Sequence, residues 1–215
     1  MQKKFVGGFE MGGNDCYRFV KRAADVLFSF VLLALLYIPM LVISIAIRVS
    51  TGESSIFRQK RIGRNGRVFV CYKFRTMRKD APSNLSTAEF KNAEKYITPI
   101  GKLLRRSSLD ELPQLFNVLT GDMSIVGPRP LIADESEVHL MRKGSGAYYA
   151  RPGITGLAQV MGRDELDDVL KVYYDTQYVY NMRFSEDVRI LLLTFFKVFT
   201  KDGVADSGKR KVLDK

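Results

Sequence analysis

The chain has no tryptophan, one histidine (His139) and two cysteines (Cys16 and Cys71) in 215 residues. Two cysteines exclude a disulfide framework, and neither stands in a metal-type or CxxC spacing. One histidine and two scattered cysteines also argue against a zinc centre, and a reducing compartment is the simpler setting for the thiols. Acidic residues are in the minority, 23 against 34 basic ones, for a formal charge of +11. Such a surface attracts phosphate, whether in nucleic acid, anionic lipid or a small substrate, and charge alone does not choose among these. With 46% hydrophobic and 27% charged residues, the composition is that of a folded chain of one domain.

Charge is missing altogether from Val26 to Ile47, 22 positions between Asp25 and Arg48. An uncharged run above about 18 residues points to a membrane rather than to a soluble core. The run starts late and no small-residue cleavage site follows it, which excludes a signal peptide. Pro39 lies inside the run, where it removes a backbone hydrogen bond and crowds the preceding turn. The arm before it, Ala23–Ile38, reaches roughly 24 Å at about 1.5 Å per residue, and neither arm crosses about 30 Å of hydrocarbon. Lys3, Lys4, Arg18, Lys21 and Arg22 precede the run, and Arg48, Arg58, Lys60, Arg61, Arg64 and Arg67 follow it. The positive-inside rule therefore asks for both ends on the cytoplasmic side. A helix broken at Pro39 that enters and leaves by one leaflet satisfies this; a kinked spanning helix is the alternative.

From Ser55 to Met77, two β-prone stretches flank Arg64-Asn65-Gly66, a hairpin turn signal. Cations recur on both arms, as in a solvated hairpin or a ribbon resting on anionic headgroups; the adjoining membrane segment favours the ribbon. The polar stretch Ala81–Thr98 reads as a loop with a short helix around Thr87–Tyr96. A helix is expected from Asp110 to Leu119, with Leu112, Leu115, Phe116 and Leu119 on one face. Gly121–Pro130 and Arg151–Gly156 carry turn signals, and a helix is expected around Ile132–Arg142. Two more helices close the chain, near Glu165–Tyr180 and Ser185–Thr200. Val188, Leu191, Leu192, Phe195, Phe196 and Phe199 give the last a broad apolar face, suited to a core or a membrane surface, with the core as the expectation. The tail from Lys201 is small, polar and charged, as in disordered termini.

In RRSSLDELPQLFNVL, Arg105 to Leu119, adjacent carboxylates Asp110 and Glu111 stand at a helix start. Taken alone, the segment reads as a helix cap: Ser108 and Glu111 have capping-box spacing, and acids in a first turn complement the helix dipole. Its surroundings add a second reading. Phosphoryl transfer needs a nucleophile, a divalent cation and groups that hold phosphate. A carboxylate can act as nucleophile, and its neighbour can help hold Mg²⁺. Three arginines lie in Gly/Pro-rich turns downstream: Arg129 in GPRP, Arg151 in RPG and Arg163 in MGR. The planar guanidinium fork matches phosphate.

At these residues the chain resembles the monotopic phosphoglycosyl transferases, or bacterial sugar transferases. The matching stretches are FRQKRIGRNGRVFVCYKFRTM, RRSSLDELPQLFNVLTGDMSIVGPRPL, RPGITGLAQVMGR and DTQYVYNMRFSEDVRILLLTFFKV, and the likeness runs from about Arg18 to Lys201. It implies an α/β, mostly helical fold: a reentrant membrane helix, amphipathic helices in the interface plane and a small cytoplasmic active-site region with a hairpin. The implied organisation is an N-terminal extension over 1–17, the reentrant helix over 18–50, a catalytic domain over 51–200 and a flexible basic tail over 201–215. Its length places the chain with the small, single-domain members.

The resemblance assigns roles as well. Asp110 matches the nucleophile that attacks the β-phosphate of a UDP-sugar, releases UMP and carries the phosphosugar. Polyprenol phosphate, undecaprenyl phosphate in most bacteria, then takes that group. Asp110 also matches a Mg²⁺-contacting position and Glu111 its partner carboxylate, in metal or proton handling, and Arg105, Arg129 and Arg163 match phosphate-binding arginines. Pro128 and Pro130 shape the loop carrying Arg129, while Arg151, Gln159, Asp175 and Tyr178 are further substrate-site or structural candidates. The implied location is the cytoplasmic face of the bacterial inner membrane, among its lipids, with downstream glycosyltransferases as partners and no nucleic acid. One departure stands at Ile38, where the family carries serine before the helix-breaking Pro39. The rival reading is a non-catalytic, membrane-anchored basic module that binds lipid or nucleic acid.

Overall fold

The computed structural model describes residues 5–6, 9–10, 15–81, 93–133, 136–162 and 166–200. The tail from Lys201, Lys3, Lys4, Arg163 and residues 87–92 of the expected short helix lie outside them; a 3₁₀ turn at Ala93–Tyr96 is described. A two-residue ladder, β1 (Phe5–Val6) with β2 (Phe9–Glu10), precedes the long helix α1 (Asp15–Thr51). Strands β3 (Ile56–Ile62) and β4 (Val68–Phe74) lead to the short helices α2 (Pro99–Arg106) and α3 (Gln114–Thr120). Then come β5 (Ser124–Val126), β6 (Leu131–Ile132), α4 (Ser136–Ser145), β7 (Gly153–Thr155) and α5 (Leu157–Met161). Helices α6 (Asp168–Tyr180) and α7 (Phe184–Thr200) close the fold. The protein is α/β and mostly helical.

Helix α1 contains the one segment, among the described residues, long and apolar enough to cross a membrane, and only 6% of its apolar window is buried. It is therefore not the core helix of a soluble fold. Its inward stripe falls at Asp25, Ser29, Leu33, Leu36, Met40, Ile43 and Ile47, three or four residues apart. The other faces are open: Leu35 and Ile38 are each 70% exposed. Both ends of the run are fastened to the same body. Asp25 accepts from Ser124 Oγ (2.8 Å) and the Ile125 amide (3.2 Å), while Met40 and Ile47 pack with Phe74 and Leu104. Helical backbone continues through Pro39, where a break was expected. The proline ring removes one backbone hydrogen bond, and the flanking turns keep the helix going.

The hairpin forms as its turn residues direct. Asn65 and Gly66 take positive φ (59° and 74°), and β3 and β4 pair antiparallel from Ile56↔Phe74 to Ile62↔Val68. β6 adds to β3, giving the order β4-β3-β6 and leaving β4 at the edge. Its open backbone is met by a side chain: Asn117 on α3 donates Nδ2 to the Val70 carbonyl (2.7 Å) and accepts from the Tyr72 amide (3.0 Å). That explains a fully buried asparagine in an otherwise apolar cluster of Phe69, Cys71, Val118 and Met123. Helix α3 starts later than expected, and it buries Gln114, Leu115, Asn117 and Val118 while Phe116 is 49% exposed.

The two turn-like stretches expected at Gly121–Pro130 and Arg151–Gly156 contain β5 and β7, paired parallel from Ser124↔Gly153 to Val126↔Thr155. Their backbones approach too closely for side chains. A Cβ on Gly127 would meet the Arg151 carbonyl at 2.3 Å, and one on Gly156 would meet the Gly127 carbonyl at 2.1 Å. The glycines of GPRP and RPGITG thus make the two motifs one structural unit. Helix α4 begins later than expected because Leu131–Ile132 is taken by β6.

Helices α6 and α7 fall where expected, but the broad apolar face of α7 is not core. Leu192, Phe195 and Phe196 are 56%, 59% and 60% exposed, and the opposite side supplies the buried Asp187 and Ile190. The Phe199 side chain lies outside the described ones.

Candidate active site

The acidic pair sits on a 3₁₀ turn, Leu109–Glu111, between α2 and α3. Ser108 does not cap it. Its φ of 57° is left-handed and its side chain makes no capping hydrogen bond, so the helix-cap reading of Ser108 and Glu111 fails. A left-handed non-glycine residue carries strain, and such strain gathers at functional sites. Glu111 turns instead to Lys73 Nζ, 2.8 Å from its Oε1, with Arg129 Nη2 at 3.5 Å from the same oxygen.

Each cation around the pair is held by identifiable structure. Lys73 follows Phe69 and Cys71 at the two-residue period of β4, so it shares the face that meets α3 and the acidic turn. Arg105 leaves the last turn of α2 and donates Nε to Thr76 Oγ1 (2.9 Å). Thr98 caps α2 by accepting from the Gly101 amide (3.0 Å), and Pro99 fits the first turn. Gly101 lets this end press on the Thr76 carbonyl, which a Cβ would meet at 2.0 Å.

Arg129 sits between the buried Pro128 and Pro130, and all three of their carbonyls are engaged. Pro128 accepts from the Gly153 amide (2.9 Å), Arg129 from Arg142 Nη1 (2.7 Å) and Pro130 from Arg61 Nη1 (2.8 Å). The backbone is clamped at three successive residues while the Arg129 side chain stays 43% exposed. This is preorganisation: the guanidinium is aimed before any ligand arrives.

Asp110 is half-buried. Burial and then the charge of Glu111 push its carboxyl above the ordinary range, against the pull of Lys73, Arg105 and Arg129. Burial also pulls Arg105 below its usual value, opposed by Asp110. Among the described residues no three His, Cys, Asp or Glu side chains converge on a metal position. Two adjacent carboxylates suit Mg²⁺, which takes one or two carboxylates and leaves its other positions to water and substrate phosphates.

The structure thus brings together Asp110, Glu111, Arg105 and Arg129, with Pro128 and Pro130 as the frame of the last. Lys73 joins them and was not singled out from the sequence; only its alternation with Phe69 and Cys71 could have pointed to it. Other candidates lie elsewhere. Arg151 donates Nε to the Gly121 carbonyl (2.9 Å), and Gln159 is buried and donates to the Ile154 carbonyl (3.0 Å). Asp175 and Tyr178 are each 1% exposed, so a substrate-contacting role gives way to an interior one. Asp175 pairs with Arg142, and the Tyr178 hydroxyl donates to Asp187 Oδ1 (2.7 Å). Asp187 also receives Lys21 Nζ (2.5 Å) and the Tyr17 hydroxyl (2.7 Å), which ties α1 to α7.

A strained acidic turn approached by Lys73, Arg105 and Arg129 is thus carried by a small α/β body beside an exposed apolar helix. Comparison with known proteins gives the family. Residues 16–201 match the family described as bacterial sugar transferase, and the chain belongs to it. It is 40% identical over 202 residues to an undecaprenyl-phosphate galactose phosphotransferase of Salmonella typhimurium, covering 86% of this chain and 42% of that protein. A UDP-glucose:undecaprenyl-phosphate glucose-1-phosphate transferase of Escherichia coli is 38% identical over 189 residues, covering 85% of this chain and 40% of that one. The exopolysaccharide production protein ExoY of Rhizobium meliloti is 38% identical over 190 residues, with 81% and 83% covered. The chain therefore spans less than half the length of the Salmonella and Escherichia relatives.

Proposed function

We propose that the protein is a phosphoglycosyl transferase that moves a sugar phosphate from a UDP-sugar to undecaprenyl phosphate, the first membrane step of a bacterial glycoconjugate. The observation that carries this reading is Asp110 itself: half-buried on a strained turn, flanked by Glu111 and approached by Lys73, Arg105 and Arg129. The names of the Salmonella and Escherichia relatives, which specify undecaprenyl-phosphate sugar transfer, support it.

The chemistry runs in two displacements. An Asp110 carboxylate oxygen attacks the β-phosphorus of the donor, the bond from that phosphorus to the bridging oxygen breaks, and UMP leaves with the bridging oxygen. An acyl phosphate bearing the sugar remains on Asp110. The phosphate oxygen of the polyprenol then attacks the same phosphorus and expels the Asp110 carboxylate, giving polyprenol diphosphate sugar. Splitting one displacement into two is the role of covalent catalysis. Arg105 and Arg129 hold the donor's phosphates, Arg129 on its clamped loop. Lys73 anchors Glu111 beside Asp110 so that the two carboxylates keep a fixed relation. Mg²⁺ held by Asp110 and Glu111 would offset phosphate charge.

Both substrates meet at a boundary, one dissolved in the cytosol and one tethered in the bilayer. The fastening of both ends of the apolar run to one body supports insertion from a single leaflet, on the cytoplasmic face of the inner membrane. The exposed face of α7 supports contact with the interface. Two measurements test the whole reading: UMP release from a panel of UDP-sugars with undecaprenyl phosphate and Mg²⁺, and intact-protein mass spectrometry with donor alone. A phosphosugar adduct on Asp110 is expected; wild type that releases UMP but never forms one is a direct-displacement enzyme, with Asp110 only a metal ligand.

A further inference from the structure

A second cationic feature lies away from the acidic turn. A cleft of about 40 Å³ opens between the first turns of α1, the hairpin turn and the segment before β7. Five cationic side chains line it, Arg18, Lys21, Arg22, Arg64 and Arg151, against one carboxylate, Asp25. That carboxylate is engaged by Ser124 and the Ile125 amide. Burial, then the charges of Arg64 and Arg22, pull the Arg151 guanidinium below its usual value. Lys21 is already paired with Asp187, while Arg22 donates to the Val118 and Leu119 carbonyls and Arg151 to the Gly121 carbonyl. These two guanidinium groups keep their positive charge, which an entering anion would offset.

The cleft has a neighbour of opposite character. An apolar groove of about 490 Å³ runs along α1 between Phe19, Ala23, Val26, Leu27 and Phe30, with Leu119 opposite. Arg22 lines both cavities. The α1 residues recur at three- and four-residue spacing, so they form one continuous face, which begins at Phe19 among the charged residues of α1 and continues past Asp25 into the charge-free run. A phosphate site opening directly into a hydrocarbon-sized groove has the shape of an amphiphile.

The site is separate from the acidic pair. It lies at the turn end of the hairpin, whereas Lys73, which binds Glu111, lies five residues along β4 from Val68, about 17 Å at a strand rise of about 3.3 Å. None of the residues that shift Asp110 lines the cleft.

We infer that this cleft and groove together bind an anionic glycerophospholipid, its phosphate among Arg22, Arg64 and Arg151 and one acyl chain along Phe19, Leu27 and Phe30. The inference rests on the membrane placement proposed above. The bound lipid would lock the N-terminal turns of α1 at headgroup level and so set how deep the apolar run inserts.

Native mass spectrometry of the full chain, released from micelles containing dioleoyl phosphatidylglycerol or dioleoyl phosphatidylcholine, tests it. Wild type should retain the anionic phosphatidylglycerol selectively. Arg64→Ala, on the exposed turn, should weaken retention about fivefold, the effect of one cation near an anionic surface. Leu27→Asn, at a side chain 63% exposed, should weaken it independently. Equal retention of both lipids, or unchanged retention in both variants, overturns the proposal. Displacement of the lipid by millimolar inorganic phosphate would make the cleft a site for soluble anions, and stronger retention of undecaprenyl phosphate would make it a station for the acceptor; each also overturns it. UMP release by the same preparation separates the two readings: release without lipid selectivity sinks this inference alone, and selectivity without release sinks the enzyme reading alone.

Discussion

Asp110 and Asp175 are the same side chain in two kinds of place. Burial pushes both carboxyls above their ordinary range, Asp175 to about 6. Asp175 is sealed at 1% exposure and paired directly with Arg142, whose other arm holds the Arg129 carbonyl. Asp110 is half-open on a strained turn, and its cations act on it from the surroundings while Lys73 and Arg129 contact its neighbour Glu111. A carboxylate consumed by a buried ion pair is structural. One surrounded by cations but still reachable can react. The interior pair serves the open one indirectly, through the backbone that aims Arg129.

The sharpest way to break this comparison is to neutralise each acid. Asp110→Asn should cut UMP release by about four to six orders of magnitude, the scale seen when a nucleophile is lost, while the thermal midpoint stays level or rises. Asp175→Asn should do the opposite: it strands the Arg142 charge in the interior and costs about 3–5 kcal/mol in urea unfolding, with a much smaller loss of turnover per folded molecule. If the two variants behave alike in both assays, the distinction is gone.

Lys73→Met should lower turnover about a hundredfold, the low end of what removing one preorganised charged partner costs, because Glu111 loses its closest cation. Stability should fall by less than for Asp175→Asn, since Lys73 is 20% exposed and Arg129 still faces Glu111. Titration gives the smallest effect. In the absence of divalent cations, carbon NMR should show the Asp110 carboxyl losing its proton above the ordinary value of about 3.9. Glu111→Gln should move it down and Lys73→Met should move it up, following the signs of the charges removed. A folded value above the unfolded one means the native state holds the proton better. That contribution to stability is complete below the unfolded pKa and is lost as pH rises through the folded one. Titration of Asp110 at or below the ordinary value would contradict the burial described here.

Much of the molecule was legible before any coordinates. Asn65-Gly66 announced the hairpin because both residues accept positive φ, and the charge-free run announced α1 because transfer of charge into hydrocarbon is so costly. The order of SLDELPQ, GDMSIVGPRP and RPGITG carried the family. The misread segments share a cause. β5 and β7 are three residues each, too short for alternation to mark them; they exist because Gly153 and the flanking Gly127 and Gly156 let two backbones touch. Phe195 and Phe196 looked like core, since a periodic face does not say whether protein or lipid covers it. Ser108 and Glu111 had the spacing of a cap, yet the turn's conformation sent Glu111 to Lys73.

What the sequence determined by itself is local: where helices and turns start, which stretch avoids water, and which residues match a known order of motifs. These depend on propensity, spacing and transfer energy along a few neighbouring residues. Tertiary structure alone decided that Lys73, 38 positions before Glu111, completes the acidic site, that Asp175 supports Arg129 from the interior, and that a basic cleft opens into an apolar groove at Arg22. Those relations are set by how distant segments pack, and packing is a property of the whole fold.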